Sequence, residues 1–254
     1  MKVLILAGGL GTRMSEYTHS TPKPMVMLGD KPLIWHIMQQ YSYYGYNDFL
    51  VALGYKGEEF KKYFLNYHII NSDFTIETNT GVINKLNKNK ENWKITFVDT
   101  GINTLTGGRI RKLKKYLNEP FFCTYGDGLS NININKLLKF HKTHKKIATL
   151  TAVRPPAKFG ELNFNIKNKV TKFQEKPHLN QGWINGGFFV FEKGIFDFLK
   201  GKDKMLEREP FNKLIKHNEL IAFPHKGFWK ACDSKRDLDY LKNKIENNNC
   251  EWIL

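Results

Sequence analysis

The sequence predicts an α/β fold built on a doubly wound, largely parallel sheet flanked by helices, and three observations carry that expectation. Short apolar runs bounded by glycines or polar turns recur along the chain, as strands buried on both faces require. Amphipathic stretches of helical period alternate with them. At 254 residues the chain is long enough to bury the core such a sheet needs.

The first run, Lys2–Ala7 (KVLILA), ends in glycines and suits a buried parallel strand. Pro32–Tyr44 then places Leu33, Ile37, Met38 and Tyr41 on one helical side. Asp48–Leu53 is a second buried run, followed by a helix rich in glutamate and lysine to about Phe64. Further strands are expected at Thr96–Asp99, Phe121–Tyr125 and Ala148–Val153, with a helix at Ile134–His144. After Pro155 and Pro156 the pattern changes to shorter strands at Glu161–Ile166, Val170–Gln174 and Gly186–Phe191. Helices follow at Ile195–Lys200, Pro210–Asn218 and Arg236–Asn247. No repeat or linker-like tract divides the chain, so one domain spanning residues 1–254 is expected.

Composition narrows the function. A 41% hydrophobic and 14% aromatic content belongs to a folded globular protein. The net charge of +16 invites a nucleic-acid reading, but the excess is almost all lysine, with arginine only at Arg13, Arg109, Arg111, Arg154, Arg208 and Arg236. Lysine and asparagine fill solvated stretches such as Asn84–Asn92, and no RNP-type string, paired metal ligands or basic helix accompanies them. No nucleic-acid partner is expected. The field would still draw in an anionic substrate. No apolar run approaches the roughly 20 residues of a membrane span, and MKVLILAGG is too short and glycine-bound for a signal peptide. Cys123, Cys232 and Cys250 form no CxxC pair and leave an odd count, which points to a reducing, cytoplasmic setting.

Four motifs carry chemistry. Leu6, Ala7, Gly8, Gly9, Leu10, Gly11, Thr12 and Arg13 follow the first strand directly, where open α/β sheets bind ligands. Glycines at three of these positions let main-chain N–H groups approach phosphates, although a tight strand-to-loop turn would use the same residues. The string is not a dinucleotide fingerprint, whose third glycine would fall at Met14, and no GK[ST] follows to make a P-loop. In Pro22-Lys23-Pro24-Met25 the prolines are expected to fix the backbone and keep it out of helix, holding the Lys23 ammonium towards phosphates. Asp127, between Gly126 and Gly128 after a strand, suits a hard cation such as Mg²⁺, which uses one or two carboxylates plus substrate phosphates. A second carboxylate must then come from elsewhere, and Asp233 is the candidate. Finally, Gln174-Glu175-Lys176-Pro177 and Ile184-Asn185-Gly186-Gly187 suggest a pocket for a polar ligand, though a charged hairpin end and a glycine-marked strand start would read the same way.

Taken in order, these strings resemble the sugar-nucleotidyltransferase family over essentially the whole chain. Its amino-terminal signature, LAGG-x-GTR followed by PKPM, is intact from Leu6 to Met25. The strings YGDG, FGEL, EKP, INGGFFVF, LEREP and GFW-x-x-x-D-x-x-RD look like the branch acting on CTP and glucose 1-phosphate. The resemblance implies a Rossmann-like fold of the glycosyltransferase-A type and transfer of a cytidylyl group to a sugar 1-phosphate, giving CDP-glucose and pyrophosphate. It assigns the triphosphate to the Leu6–Arg13 loop, with Lys23 as catalytic cation beside Arg13. It further places Mg²⁺ on Asp127 and Asp233, the nucleotide beside Thr104, Arg109 and Gly126, and the sugar phosphate at Gly160, Glu175, Lys176 and Asn185. Thymidylyl and uridylyl relatives usually carry Gln-x-x-Pro-x-Gly where this chain reads DTG…TGGR. Cys232-Asp233-Ser234 departs from the branch's usual Met-Asp-Thr. A homo-oligomer is expected. The rivals are the same transfer with UTP, dTTP or another phosphorylated acceptor, and a non-catalytic nucleotide-binding regulatory subunit.

Overall fold

The computed structural model describes residues 1–11, 21–86, 91–154, 161–164, 169–174, 182–201 and 203–253. Its centre is a seven-stranded mixed sheet assembled from β1 (Val3–Leu6), β4 (Asp48–Leu53), β7 (Lys94–Asp99), β8 (Phe121–Tyr125), β10 (Ala148–Val153), β13 (Ile184–Phe191) and β14 (Leu220–His225). The strand order is β14-β10-β13-β8-β1-β4-β7. β1 pairs in parallel with both β4 and β8, β4 with β7, and β10 with β14, while β13 runs antiparallel between β8 and β10. Two-stranded pairs decorate it: β2–β3 (Met27–Leu28, Lys31–Pro32), β5–β6 (Phe74–Ile76, Ile83–Lys85), β11–β12 (Glu161–Phe164, Val170–Gln174) and β9–β15 (Gly128–Ser130, Trp229–Ala231).

Alternation along the strands gives the sheet a core on each face. Val3, Ile5, Phe49 and Val51 point to one side, where they meet Leu33, Ile37, Met38 and Tyr41 of α1 (Leu33–Tyr43). Leu4, Leu6, Leu50 and Ala52 point to the other, against Ile110 and Phe196. Both faces are dry, which is why these strands read as unbroken apolar runs. The remaining helices are α2 (Gly57–Leu65), α3 (Tyr67–Ile70), α4 (Thr106–Lys112), α5 (Ile134–His144), α6 (Ile195–Phe198), α7 (Glu209–Lys216) and α8 (Lys235–Glu246). No helix among the described residues is long and apolar enough to cross a membrane.

Three expectations need correction. The strands after residue 155 are not uniformly short: β13, at eight residues, is central, and its run from Gly186 to Phe191 is wholly buried. β14 was not foreseen; it carries Pro224 and sits at the sheet's edge, where an absent N–H costs no ladder bond. Proline does not keep Lys23 out of helix. A single turn of 3-10 helix forms at Lys23–Met25, since proline is tolerated in a first turn where N–H groups lack partners anyway.

Candidate active site

The carboxyl ends of β1 and β8 and the start of the antiparallel β13 open on a cavity of about 730 Å³, the place where open α/β sheets take ligands. Its floor is the chain leaving β1, Leu6 to Gly11. Ala7 N–H still donates to Ala52 O of β4 (3.1 Å), and the Gly8 carbonyl accepts from Tyr55 N–H (3.3 Å), so the first half of the loop is anchored to the sheet. Gly9 has open space where a side chain would start, and Gly11 adopts φ +64°, which glycine alone takes without strain.

Opposite this loop stand the two carboxylates and the lysine. β9 continues from the β8 turn and pairs antiparallel with β15, setting Ala231 across from Gly128. Cys232 N–H donates to the Asp127 carbonyl (2.9 Å). That short ladder brings together two residues 106 positions apart, Asp127 and Asp233. Lys23 lies between them, its Nζ 2.7 Å from Asp127 Oδ2 and 2.5 Å from Asp233 Oδ1. The side chain is only 10% exposed. Burial alone would depress its pKa, but the two carboxylates, Asp127 foremost, outweigh that and hold it above the usual lysine value. Lys23 is therefore a fixed positive charge at the cavity wall.

The departure around Asp233 has a structural account. Cys232 is buried in the core with its thiol pushed up to about 12 by burial, so it packs as a small apolar group and remains protonated. Ser234 caps α8 by accepting from Asp237 N–H (3.3 Å), while its hydroxyl donates to Asp237 Oδ2 (2.7 Å). Asp237 also accepts from the Asp233 main-chain N–H (3.2 Å). Serine performs this capping as well as threonine would.

Arg109 lines the cavity, but its guanidinium is committed to the protein. Nη1 donates to Leu53 O (2.9 Å), Thr100 Oγ1 (2.6 Å) and Gly101 O (2.9 Å), and Nη2 to Gly8 O (2.7 Å) and Ile102 O (3.2 Å). It sits in a slot between Gly8 and Gly54, where a Cβ would come within 2.1 Å and 2.6 Å of Nη1. One planar cation thus ties the glycine loop to the ends of β4 and β7. Thr104 lies on the same wall, its hydroxyl donating to Thr100 O (2.5 Å). Gly126 packs under Pro24, whose Cγ would stand 2.8 Å from any Cβ there.

Asn185, at the start of β13, faces the same cavity with Tyr125 and Glu207. Tyr125 and Glu207 were not singled out from the sequence, although Glu207 lies in the LEREP string. Of the sequence-predicted residues, Leu6 to Gly11, Lys23, Thr104, Arg109, Gly126, Asp127, Asn185 and Asp233 converge here. Thr12, Arg13, Gly160, Glu175 and Lys176 lie outside the described residues.

A glycine loop at strand ends, facing a buried cation clasped by two carboxylates, is the build of an α/β protein that handles phosphates. Residues 2–238 match the model of the nucleotidyl transferase family, and the chain belongs to that family. It is 44% identical over 254 residues to the glucose-1-phosphate cytidylyltransferase of Salmonella typhimurium, covering 99% of this chain and 98% of that one. It is 45% identical over 240 residues to a probable glucose-1-phosphate cytidylyltransferase of Bacillus subtilis, covering 94% and 93%. The solved structure of HddC from Yersinia pseudotuberculosis superposes with a TM-score of 0.71 at 23% identity, over 96% of this chain and 99% of its own. That likeness carries the fold, a Rossmann-like sheet of the glycosyltransferase-A type.

Proposed function

We propose that this chain transfers a cytidylyl group from CTP to α-D-glucose 1-phosphate, giving CDP-glucose and pyrophosphate, with Mg²⁺ held by Asp127 and Asp233. The observation that carries the reading is the Lys23 clasp: two carboxylates meeting on one cation in the cavity that the glycine loop lines. Near-full-length identity of 44–45% to cytidylyltransferases supplies the nucleotide and the acceptor.

The donor set fits the metal. Asp127 and Asp233 are hard oxygen ligands already spaced to share one positive centre, and Mg²⁺ takes one or two carboxylates and leaves its other positions to water and phosphate. When bound, it would offset the charge of the two anionic reactants and polarise the transferring phosphoryl group. The rest falls to the chain. A phosphate oxygen of the sugar 1-phosphate attacks the α-phosphorus; the new P–O bond forms as the bond to the β-phosphate bridging oxygen breaks, and the electron pair leaves on pyrophosphate. A phosphate oxygen is nucleophilic at neutral pH, so no general base is called for. Lys23 places a permanent charge beside the phosphates. Gly8, Gly9 and Gly11 let the main chain approach them closely, and Arg109 keeps that loop in register by gripping the Gly8 carbonyl. By resemblance, Arg13 and Lys176 add charge at the triphosphate and the sugar phosphate, while Gly160, Glu175 and Asn185 meet the sugar.

The test is a pyrophosphate-release assay of the purified protein with CTP, UTP, dTTP and GTP against a panel of sugar 1-phosphates, with and without Mg²⁺. CTP with glucose 1-phosphate should be the best pair and should need the metal. A tenfold preference for UTP or dTTP would overturn the nucleotide, and inert glucose 1-phosphate with every nucleotide would overturn the acceptor.

A further inference from the structure

Thr106, Glu207, Tyr125 and Asn185 form one hydrogen-bonded line along the cavity wall, and its polarity can be followed atom by atom. Leu206 N–H donates to Thr106 Oγ1 (2.8 Å), and the Thr106 hydroxyl donates to Glu207 Oε2 (2.8 Å). The Tyr125 O–H donates to the other oxygen of Glu207. With its proton committed there, the Tyr125 oxygen accepts from Asn185 Nδ2 (3.1 Å). At the far end Gly187 N–H donates to Asn185 Oδ1 (2.9 Å).

This chain leaves the Asn185 amide a single orientation. Flipping it would set the amide N–H₂ against the Gly187 N–H and its oxygen against an oxygen that has no proton to offer. An asparagine amide has two N–H donors and two lone pairs; the described residues take one of each, so among them one N–H and one lone pair remain. That pair complements a sugar hydroxyl, which donates and accepts at once. Gly187 makes the arrangement possible: it adopts φ +76°, and a Cβ there would stand 2.5 Å from the Tyr125 ring. Burial, and then the neighbouring Glu207, raise the Tyr125 pKa, so the phenol keeps its proton at any working pH.

We propose that Glu207 and Tyr125 are positioning residues for the acceptor: through them the Asn185 amide is held to present one N–H and one lone pair to one hydroxyl of the sugar phosphate. The inference rests on the acceptor reading above and names what gives that site its selectivity. The network joins four segments distant in sequence, so it is a property of the folded cavity rather than of any one motif.

The test compares the wild-type chain with Tyr125→Phe, Glu207→Leu and Glu207→Gln, measuring kcat and KM for each substrate and for 2-, 3-, 4- and 6-deoxyglucose 1-phosphates. Tyr125→Phe and Glu207→Leu should raise KM for glucose 1-phosphate about tenfold and leave KM for CTP within about twofold, because a buried polar group loses its partner on the sugar side only. Discrimination against one deoxy analogue should collapse in both. Glu207→Gln, whose amide oxygen still accepts from Tyr125, should stay within about threefold of wild type, as a kept neutral hydrogen bond predicts. Parallel rises in both KM values, or an unchanged deoxy profile in stably folded variants, would overturn the proposal. If Glu207→Leu proves unstable by its thermal midpoint, Tyr125→Phe and Glu207→Gln decide. If wild type prefers a different sugar phosphate, the acceptor reading fails, and the same comparison with the preferred one still tests the positioning pair.

Discussion

Gly8→Ala should unseat Arg109. A Cβ on Gly8 would stand 2.1 Å from Arg109 Nη1 and 2.3 Å from Cζ, and Gly54 closes the slot behind. The guanidinium has no room to retreat, so it must leave its bonds to Gly8, Leu53, Thr100, Gly101 and Ile102. Overpacking alone costs about 1–3 kcal/mol. A hydrogen bond to a charged group contributes about 1.5–3 kcal/mol, so leaving even two unreplaced costs about 3 kcal/mol. The side chain escapes the clash rather than enduring it, and the second figure governs. In a chain of this size 3 kcal/mol lowers the thermal midpoint by roughly 6–12 °C. Arg109→Ala removes the same bonds and should cost about the same. The double variant should cost no more than Arg109→Ala, because the new methyl enters vacated space; the coupling is then about −3 kcal/mol. Urea unfolding of the four proteins, with midpoints compared at unchanged m, measures it. Additive effects, or a Gly8→Ala cost below about 1 kcal/mol, would refute the slot.

Asp127→Asn and Asp233→Asn should each lower kcat at least about a hundredfold at saturating Mg²⁺, roughly 2.7 kcal/mol of transition-state stabilisation. Their thermal midpoints should hold near wild type; normal turnover in either would remove that residue from the metal site. Gly187→Ala, forced into φ +76° against the Tyr125 ring, should cost about 2 kcal/mol or more and raise KM for the sugar phosphate, read by urea unfolding and steady-state kinetics. His36 is buried, accepts from Trp252 Nε1–H at Nδ1 (3.3 Å) and donates from Nε2 to Leu28 O (2.9 Å), and burial holds its pKa below the usual value. A depressed histidine favours the neutral form, so its contribution is complete above about pH 6.5 and is lost as pH falls through the lowered folded value. The thermal midpoint should drop between pH 7.5 and 5.0, and His36→Asn should flatten that drop while lowering the midpoint at pH 7.5; an equally steep profile in the variant would remove His36 from the acid response.

What the sequence disclosed follows from which interactions are local. β1, β8 and β10 are apolar runs closed by turn residues, so their burial on two faces is written in a few consecutive letters. β9 and β15 are three residues each and exist because they pair with one another, which no local pattern encodes. The same division runs through the site. Gly8, Lys23 and Asp127 are marked by glycines and prolines that fix the backbone around them. The meeting of Asp127 with Asp233 depends on the β9–β15 ladder, and Glu207 reaches Tyr125 across 82 residues. The spacing of LEREP contains no hint of that reach.

Arginine offered a sharper signal than its motif did. In a chain whose cations are overwhelmingly lysine, Arg109 stands where a planar fork of donors is required. Lys23 and Arg109 are the lysine and arginine buried among the described residues, and they divide the site's work by shape. Lys23 carries a compact ammonium that two carboxylates can share and a phosphate can take up. Its geometry is undemanding, and a point charge held between two carboxylates needs no more. Arg109 must reach carbonyls on three loops at once, which a tetrahedral ammonium with three donors cannot do in one plane. Exchanging the two residue types would therefore fail in opposite ways. Lysine at 109 would leave carbonyls of the cavity wall unpaired, while arginine at 23 would force a fork into a gap set by 2.7 Å and 2.5 Å contacts to a single nitrogen. The charge is the same at both positions; the number and direction of the donors decide which cation the fold can use.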